Sequence, residues 1–300
     1  IDTPGHEAFS KLRSRGATVA DIALLLIDAK DSLMPQTIES ISHIKAAQIP
    51  YIVVLNKTDL PDARPEKVKL DLLKYEVLVE GKGGNVPVAL ISAKTGAGVD
   101  ELLEQILLLA SDHNLTYDPK ADPEAYIIET KKDRRGSVVS AIIKNGTLKR
   151  GGTVFANGKK ASVRSIINDK GKQVDQVTPS MPFELLGFAE LPEVGSTITV
   201  QDTSVAKVAA AQEKRSISLE DLEIKETSRK LSIVLKTDAQ GSLEAINQSL
   251  TENKNLVMIL AGVGEITKSD IFLAKATKAI VIGFNVKPNN DVKELARQEK

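Results

Sequence analysis

Three short polar motifs in the amino-terminal third of the chain contain side chains suited to binding a nucleotide. The first motif is Asp2-Thr3-Pro4-Gly5-His6, the second is Asn56-Lys57-Thr58-Asp59 and the third is Ser92-Ala93-Lys94. The second and third motifs directly follow short apolar runs that end at Leu55 and Ile91. Because ligands of open parallel sheets bind beyond the carboxyl ends of the strands, we expect all three motifs to converge on one site.

The second and third motifs suit a guanine base. The Asp59 carboxylate offers two adjacent acceptors, which match the adjacent N1–H and N2–H donors of guanine and have no such match on adenine. Asn56 is suited to the N7/O6 side of the base, and the Lys57 stem is suited to covering the purine face. We expect the Ala93 backbone N–H to donate to O6, since the turn leaves it without a strand partner. Thr58, Ser92 and Lys94 complete the predicted base-binding set.

The first motif suits the phosphate end of the same ligand. Asp2 is a candidate for holding Mg²⁺ through water, since Mg²⁺ usually keeps several waters. Gly5 has no Cβ, so its N–H is able to approach a γ-phosphate closely. His6 is the candidate catalytic residue, placed to orient an attacking water, and Thr3 and Pro4 complete the predicted GTP-binding set. Each motif alone has a simpler interpretation as a turn or a chance match, but their joint order after apolar strands argues against chance.

Residues 1–111 are predicted to form a parallel α/β sheet. Apolar strands alternate with amphipathic helices that begin with proline or repeat isoleucine at helical spacing. The predicted strands cover 23–27, 51–55 and 86–91, and the predicted helices cover 35–47, 65–75 and 99–109. Continuous apolar strands indicate a sheet that is covered on both faces.

The remaining residues divide into a β-rich part and a second α/β part. Short alternating segments after a polar linker, with turn signals such as Asn145-Gly146 and Asn157-Gly158, predict a small antiparallel β-barrel. The strand–helix alternation returns near the end of the chain, where two predicted helices open with a capping serine, Ser242 or Ser269. The predicted domains are 1–111, a barrel at 124–202, a helical connector at 203–228 and a small α/β/α domain at 229–300.

Composition excludes several classes of protein. Forty basic and 40 acidic residues give a formal net charge of zero, which excludes a chain that is polybasic as a whole. No cysteine is present, which excludes disulfides and thiolate metal sites, and the presence of only three histidines argues against a histidine metal cluster. No run of 18 apolar residues occurs, so we expect no membrane-spanning segment and a cytoplasmic protein.

The three motifs together resemble those of translational GTPases, in which a histidine follows Asp-Thr-Pro-Gly. Longer stretches are similar to bacterial-type translation initiation factor two, and these lie at 2–9, 13–17, 34–39, 236–245, 262–267 and 283–288. The resemblance implies GTP and Mg²⁺ as ligands and GTP hydrolysis on the ribosome. It also implies a monomer that promotes binding of initiator formylmethionyl-tRNA to the small ribosomal subunit and then joining of the large subunit. The basic run 131–135 is expected to contact phosphates of ribosomal RNA.

The chain also departs from the pattern of that family. No Gly-x-x-x-x-Gly-Lys-[Ser/Thr] occurs in it, and this loop would cradle the β-phosphate and supply a Mg²⁺ ligand. The resemblance also implies a carboxy-terminal barrel that binds initiator tRNA, for which no segment is present. We therefore expect a fragment that begins inside a motif and binds GTP weakly or not at all by itself. An elongation-type GTPase and a non-catalytic, ribosome-binding regulatory protein without a P-loop remain as alternatives.

Overall fold

The computed structural model describes residues 1–5, 7–202, 230–251, 253 and 255–299. These residues form two compact units, Ile1–Thr116 and Tyr117–Lys300. The helices within the described ranges are all too short or too polar to cross a lipid bilayer. The candidate catalytic residue His6 and the predicted helical connector at 203–228 lie outside the described residues.

The first unit contains a parallel sheet with helices packed on it. Its strands are β1 (Ala23–Asp28), β2 (Tyr51–Asn56) and β3 (Val88–Leu90), and its helices are α1 (Ser10–Val19), α2 (Pro35–Ala47), α3 (Pro65–Leu73) and α4 (Val99–Asp112). The strands lie in the order β1-β2-β3, with Asp28 paired to Asn56 at the carboxyl end of the first two. The residues that follow these strands therefore emerge at the same edge.

The central strand β2 explains why this sheet is covered on both faces. Its residues Ile52, Val53, Val54 and Leu55 are all completely buried. Val53 and Leu55 pack with apolar residues of α2 and α3, whereas Ile52 and Val54 pack with Leu102 of α4. A strand with both faces in the core needs a continuous apolar run, so the parallel sheet predicted from that run is confirmed.

The second unit begins with a nearly closed antiparallel barrel. Its strands are β4 (Glu124–Asp133), β5 (Gly136–Asn145), β6 (Leu148–Lys149), β7 (Thr153–Ala156), β8 (Lys159–Asn168), β9 (Gln173–Val174), β10 (Gln176–Val177), β11 (Pro182–Phe188) and β12 (Thr197–Ile198). The main sheet runs β12-β4-β5-β11-β8-β7. Phe155 of β7 and Thr199, just beyond β12, exchange N–H···O bonds of 2.7 and 2.9 Å, which bring the two ends of the sheet together. The predicted barrel is confirmed.

The two Asn-Gly pairs of the barrel differ in their turns. Asn157 and Gly158 both have positive φ, +49° and +72°, and form the two-residue loop between β7 and β8, as a type I′ turn requires. Gly146 also has positive φ, but the strand that follows it, β6, pairs with β10 rather than with β5. A Cβ on Gly146 would lie 2.4 Å from the Ala121 carbonyl oxygen, so this glycine permits a close backbone approach instead of a hairpin.

The second unit ends in a small α/β/α layer structure. Its elements are β13 (Leu231–Thr237), α5 (Gln240–Thr251), β14 (Leu256–Val263), α6 (Lys268–Thr277), β15 (Ile280–Phe284) and α7 (Asn290–Gln298). The strands are parallel in the order β14-β13-β15. The connection from β13 to β14 and the connection from β14 to β15 run in opposite directions across the sheet. Because such connections are right-handed, they place α5 and α6 on opposite faces of the sheet. The predicted fold class is confirmed for this part as well.

The amino-terminal cap of α6 differs from the sequence prediction. Thr267, not Ser269, is the capping residue, and its hydroxyl accepts from the backbone N–H of Asp270. The Asp270 carboxylate in turn accepts from the Thr267 N–H at 2.7 Å and pairs with Lys236 at 3.1 Å. The helix therefore begins two residues earlier than a cap at Ser269 would allow. The capping box provides acceptors for the backbone N–H groups of both Thr267 and Asp270.

Candidate nucleotide-binding site

The second and third motifs are joined directly by the side chain of Asn56. This residue ends β2, and its Oδ1 accepts from the Ala93 backbone N–H at 3.0 Å and from the Lys57 N–H at 2.7 Å. Thr58 adds a second connection, since its N–H and its hydroxyl both donate to the carbonyl of Ile91. The loops after β2 and β3 therefore form one tied structure.

Asp59 is held at the surface by a buried partner. The Ser92 hydroxyl, in a residue that is 1% exposed, donates to Asp59 Oδ1 at 2.7 Å. The Thr95 N–H donates to the same hydroxyl oxygen at 3.2 Å and fixes the position of Ser92. Asp59 itself is exposed, and a carboxylate oxygen has two lone pairs. The carboxylate is thus oriented by the protein and remains able to accept two donors from a ligand.

The Ala93 N–H differs from its predicted state. It has a partner in the structure, the Asn56 side-chain oxygen, and is not an unpaired turn donor. The reason is geometric, because the ends of β2 and β3 lie side by side and bring the asparagine amide within reach of the next loop. Lys94, the last residue of the third motif, is exposed.

Asp28 is a residue of this edge that the sequence analysis missed. Its Oδ2 lies 2.5 Å from the ammonium nitrogen of Lys57, whose backbone has a positive φ of +63°. Asp28 ends β1, the strand beside β2, and its Cα pairs with that of Asn56. The signal was present in the sequence, since Asp28 directly follows an apolar run as the other motifs do. The pair fixes the direction of the Lys57 stem along this edge.

The Asp28–Lys57 pair is charged at neutral pH. The hydrogen bond from Lys57 is the largest influence on Asp28 and holds the pKa of its carboxyl below the usual value, although burial acts against it. The same bond raises the pKa of the Lys57 ammonium group. A carboxyl whose pKa is lower in the folded state stabilises the fold above its unfolded pKa. This contribution is lost in acid, as the pH falls through the folded value.

The first motif lies against α1 rather than in the tied loops. The Pro4 carbonyl accepts from Arg13 of α1 at 2.8 Å. Asp2, Thr3 and Gly5 line a cavity of about 680 Å³ together with residues of α1, β1 and α2. The structure therefore joins the second motif to the third, and convergence of the first motif with them stays a prediction.

Asp2 fits a Mg²⁺ ion that is held mainly by water and phosphate oxygens. Its side chain is exposed, so a hydrated ion is able to reach the carboxylate. Among the residues that the structure describes, no group of three or more His, Asp or Glu side chains is placed to hold a metal. An all-protein metal cage is thus not formed by these residues, whereas a single carboxylate acting through water matches the way Mg²⁺ is usually bound with nucleotides.

Three family models match successive parts of the chain. The elongation factor Tu GTP binding domain matches residues 1–112, elongation factor G domain 2 matches 122–201, and translation-initiation factor 2 matches 208–300. The first match covers all three motifs. The second covers the barrel strands, and the third covers the carboxy-terminal sheet.

Curated relatives match over the whole chain. Translation initiation factor IF-2 of Aquifex aeolicus is 46% identical over 100% of this chain and 40% of its own length. The proteins of the same name from Caldanaerobacter subterraneus and Desulforamulus reducens are 42% and 43% identical over 100% of this chain, and the matches cover 45% and 32% of their lengths. The chain therefore spans less than half the length of these relatives.

Solved structures show the same architecture. GDP-bound aIF5B from Aeropyrum pernix aligns with a TM-score of 0.57 and 25% identity over 100% of this chain and 59% of its own. Elongation factor SelB from Methanococcus maripaludis, in complex with the GTP analogue GppNHp, aligns with a TM-score of 0.53 and 26% identity over 68% of this chain and 46% of its own. The motifs, the order of the folds and the matches above 40% identity over the whole of this chain all agree. The chain therefore belongs to the translation initiation factor IF-2 family.

Proposed function

We propose that these residues form the base-binding and switch part of a GTPase that acts in translation initiation. The observation that carries the proposal is the pair of bonds that tie the loops after β2 and β3, from Ala93 to Asn56 and from Ser92 to Asp59. They hold the Asn56 and Asp59 side chains at the same edge of the sheet, and this arrangement supports a site for guanine. Membership of the initiation factor family supports the assignment to initiation rather than elongation.

At the base end, Asp59 accepts the N1–H and N2–H groups of guanine. The Asn56 amide nitrogen donates to the N7/O6 side, and the Lys57 stem, held by Asp28, covers the purine face. Such a site rejects adenine strongly, because the carboxylate would be left without donors. The hydroxyl of Ser92 keeps the carboxylate in the orientation that this pairing needs.

At the phosphate end, the residues of the first motif act together. The Gly5 N–H donates to the γ-phosphate, and Asp2 would hold Mg²⁺ through water. When bound, Mg²⁺ neutralises charge that develops on the phosphate oxygens during transfer. His6 orients the attacking water and is the residue that we assign to catalysis.

The proposed partners are the two ribosomal subunits. The basic run 131–135, which covers the end of β4 and the turn to β5, supports a contact with ribosomal RNA, since Lys132 and Arg134 are exposed there. Lys131 and Arg135 pair with Glu184 at 2.5 and 3.0 Å, which neutralises part of the run. Initiator formylmethionyl-tRNA is proposed to bind through a part of the protein outside these 300 residues. We propose a monomer that works in the cytoplasm.

Ribosome-stimulated hydrolysis tests this proposal. We expect the full-length gene product that contains these residues to hydrolyse GTP slowly alone, and at least about 10²-fold faster with ribosomes, because docking completes the positioning of the attacking water. The measurement is single-turnover release of phosphate from GTP, with ATP as the matched control substrate. Hydrolysis that ribosomes leave unchanged, or that proceeds equally well with ATP, would contradict the proposal.

A further inference from the structure

Arg13 is a buried cation that connects three elements of the first unit. Its side chain is 5% exposed. One terminal nitrogen donates to the Pro4 carbonyl at 2.8 Å, and the other donates to Oε2 of Glu39 on α2 at 2.5 Å. The planar guanidinium suits two such bonds at once, which a lysine ammonium on its flexible stem does not reproduce with fixed geometry. The first motif, α1 and α2 are thereby joined through a single side chain.

The carboxylate that anchors Arg13 is itself fixed. The other oxygen of Glu39, Oε1, lies 3.1 Å from Nε2 of His43 on the same helix. Burial works against ionisation of Glu39, but hydrogen bonds from Ser10, Arg13 and His43 outweigh it and lower its pKa. Glu39 is therefore ionised at neutral pH and offers a permanent anchor for the guanidinium group. An arginine held in this way keeps its second bond in one direction.

A second contact seats the first motif on α1. A Cβ on Gly16 would lie 3.1 Å from Cγ2 of Thr3, which is closer than most side chains tolerate. The helix surface at Gly16 is thus shaped for the Thr3 methyl group. Two neighbouring residues of the motif, Thr3 and Pro4, are held on the same helix by different contacts, one apolar and one polar.

The bond to Pro4 has a consequence for the next residue. The Pro4 carbonyl and the Gly5 N–H belong to one peptide unit, which is planar and trans, so the two groups point in opposite directions. A bond that fixes the carbonyl therefore also fixes the direction of the N–H. We propose that Arg13 is a positioning residue that aims the Gly5 N–H at the γ-phosphate. This inference rests on the proposed function of the site as a GTP site.

The inference predicts a selective loss of GTP affinity. Only GTP carries a γ-phosphate, so a misdirected Gly5 N–H weakens the binding of GTP and leaves the binding of GDP unaffected. We expect Arg13→Lys to reduce affinity for a non-hydrolysable GTP analogue by about 10-fold, the usual effect of losing one hydrogen bond to a charged group. Affinity for GDP is expected to stay within about twofold. Glu39→Gln keeps Arg13 but removes its anchoring charge. We expect it to reduce the ratio of GTP-analogue affinity to GDP affinity as well, to a smaller extent than Arg13→Lys does.

Lys45 supplies a matched control. It lies on α2 and, like Arg13, bridges a carbonyl and a carboxylate, those of Tyr75 and Glu76. The experiment measures affinities for GDP and the GTP analogue by calorimetry, using the full-length gene product with Arg13→Lys, Glu39→Gln or Lys45→Met. Loss of GTP preference in the first two variants and not in the third is the expected result.

The outcomes separate this inference from the function on which it rests. Equal losses for GDP and the GTP analogue in Arg13→Lys would mean that Arg13 only stabilises the fold, and unchanged affinities for both nucleotides would remove it from the site. Either result overturns the positioning role and leaves the proposed function standing. A wild-type protein that binds neither nucleotide would overturn both. Melting curves of each variant identify a folding defect. If Arg13→Lys has such a defect, the ratio of GTP-analogue affinity to GDP affinity in Glu39→Gln decides whether the positioning role holds.

Discussion

Replacing Asp59 by asparagine is expected to change the preferred base from guanine to xanthine. Asparagine offers one acceptor and one donor in place of two acceptors, so the guanine N2–H group loses its partner. Xanthine carries a carbonyl at that position and accepts from the new amide. Loss of this bond, together with the negative charge that strengthens the remaining bond from N1–H, lowers GTP affinity by about 10²-fold, whereas affinity for xanthosine triphosphate rises. Competition between the two nucleotides for the full-length variant measures the change.

Asp62 is the control for this substitution. It lies three residues after Asp59 and pairs with Lys30 at 3.0 Å, outside the bonds that tie the two loops. Asp62→Asn removes one carboxylate from the same loop and is expected to leave base preference unchanged. If Asp59→Asn kept the wild-type preference for GTP, Asp59 would have no role in recognising the base.

Replacing His6 by alanine is expected to separate binding from turnover. The imidazole is assigned to the attacking water and not to the bound nucleotide, so GTP affinity stays nearly intact. Ribosome-stimulated hydrolysis falls by at least about 10²-fold, the usual loss when one positioned transition-state group is removed. Binding that is kept while turnover is lost marks an interaction made only in the transition state. Single-turnover hydrolysis with ribosomes, measured beside nucleotide affinity, gives both quantities.

His113 provides the matched histidine for this experiment. It follows α4, is exposed, and lies outside the three motifs. His113→Ala is expected to leave binding and hydrolysis unchanged. A His6→Ala protein that hydrolyses GTP within a few-fold of wild type would remove His6 from catalysis.

The elements with strong local signals were predictable from the sequence. Helix α2 spans Pro35–Ala47, the range that its leading proline and its isoleucine spacing predict. Strand β2 extends the predicted run by one residue, to Asn56. In both cases a single feature, a repeated apolar face or a continuous apolar run, decides the element. The bond from the Ala93 N–H to Asn56 was not predicted, because it depends on the ends of β2 and β3 lying side by side.

The features that depend on charged groups were not predictable in the same way. Helix α1 was missed because its buried residues, Arg13, Gly16 and Val19, do not form a regular apolar face. The contacts of Asp28 with Lys57 and of Arg13 with Glu39 join residues 29 and 26 positions apart, and neither pair has a spacing typical of one helix or one hairpin. Their partners are set by the order of the strands and by how the helices pack. These contacts became visible only in three dimensions.

Nucleotide competition with the wild-type protein tests the central claim most directly, namely that the joined loops after β2 and β3 recognise guanine. A fluorescent GDP analogue bound to the full-length gene product is displaced by GTP, GDP or ATP, and the three affinities are compared. Because a site built to hydrogen-bond its ligand rejects one that lacks the matching donors, we predict that ATP binds at least about 10⁴-fold more weakly than GTP. ATP and GTP that displace the probe with similar affinity would contradict the account.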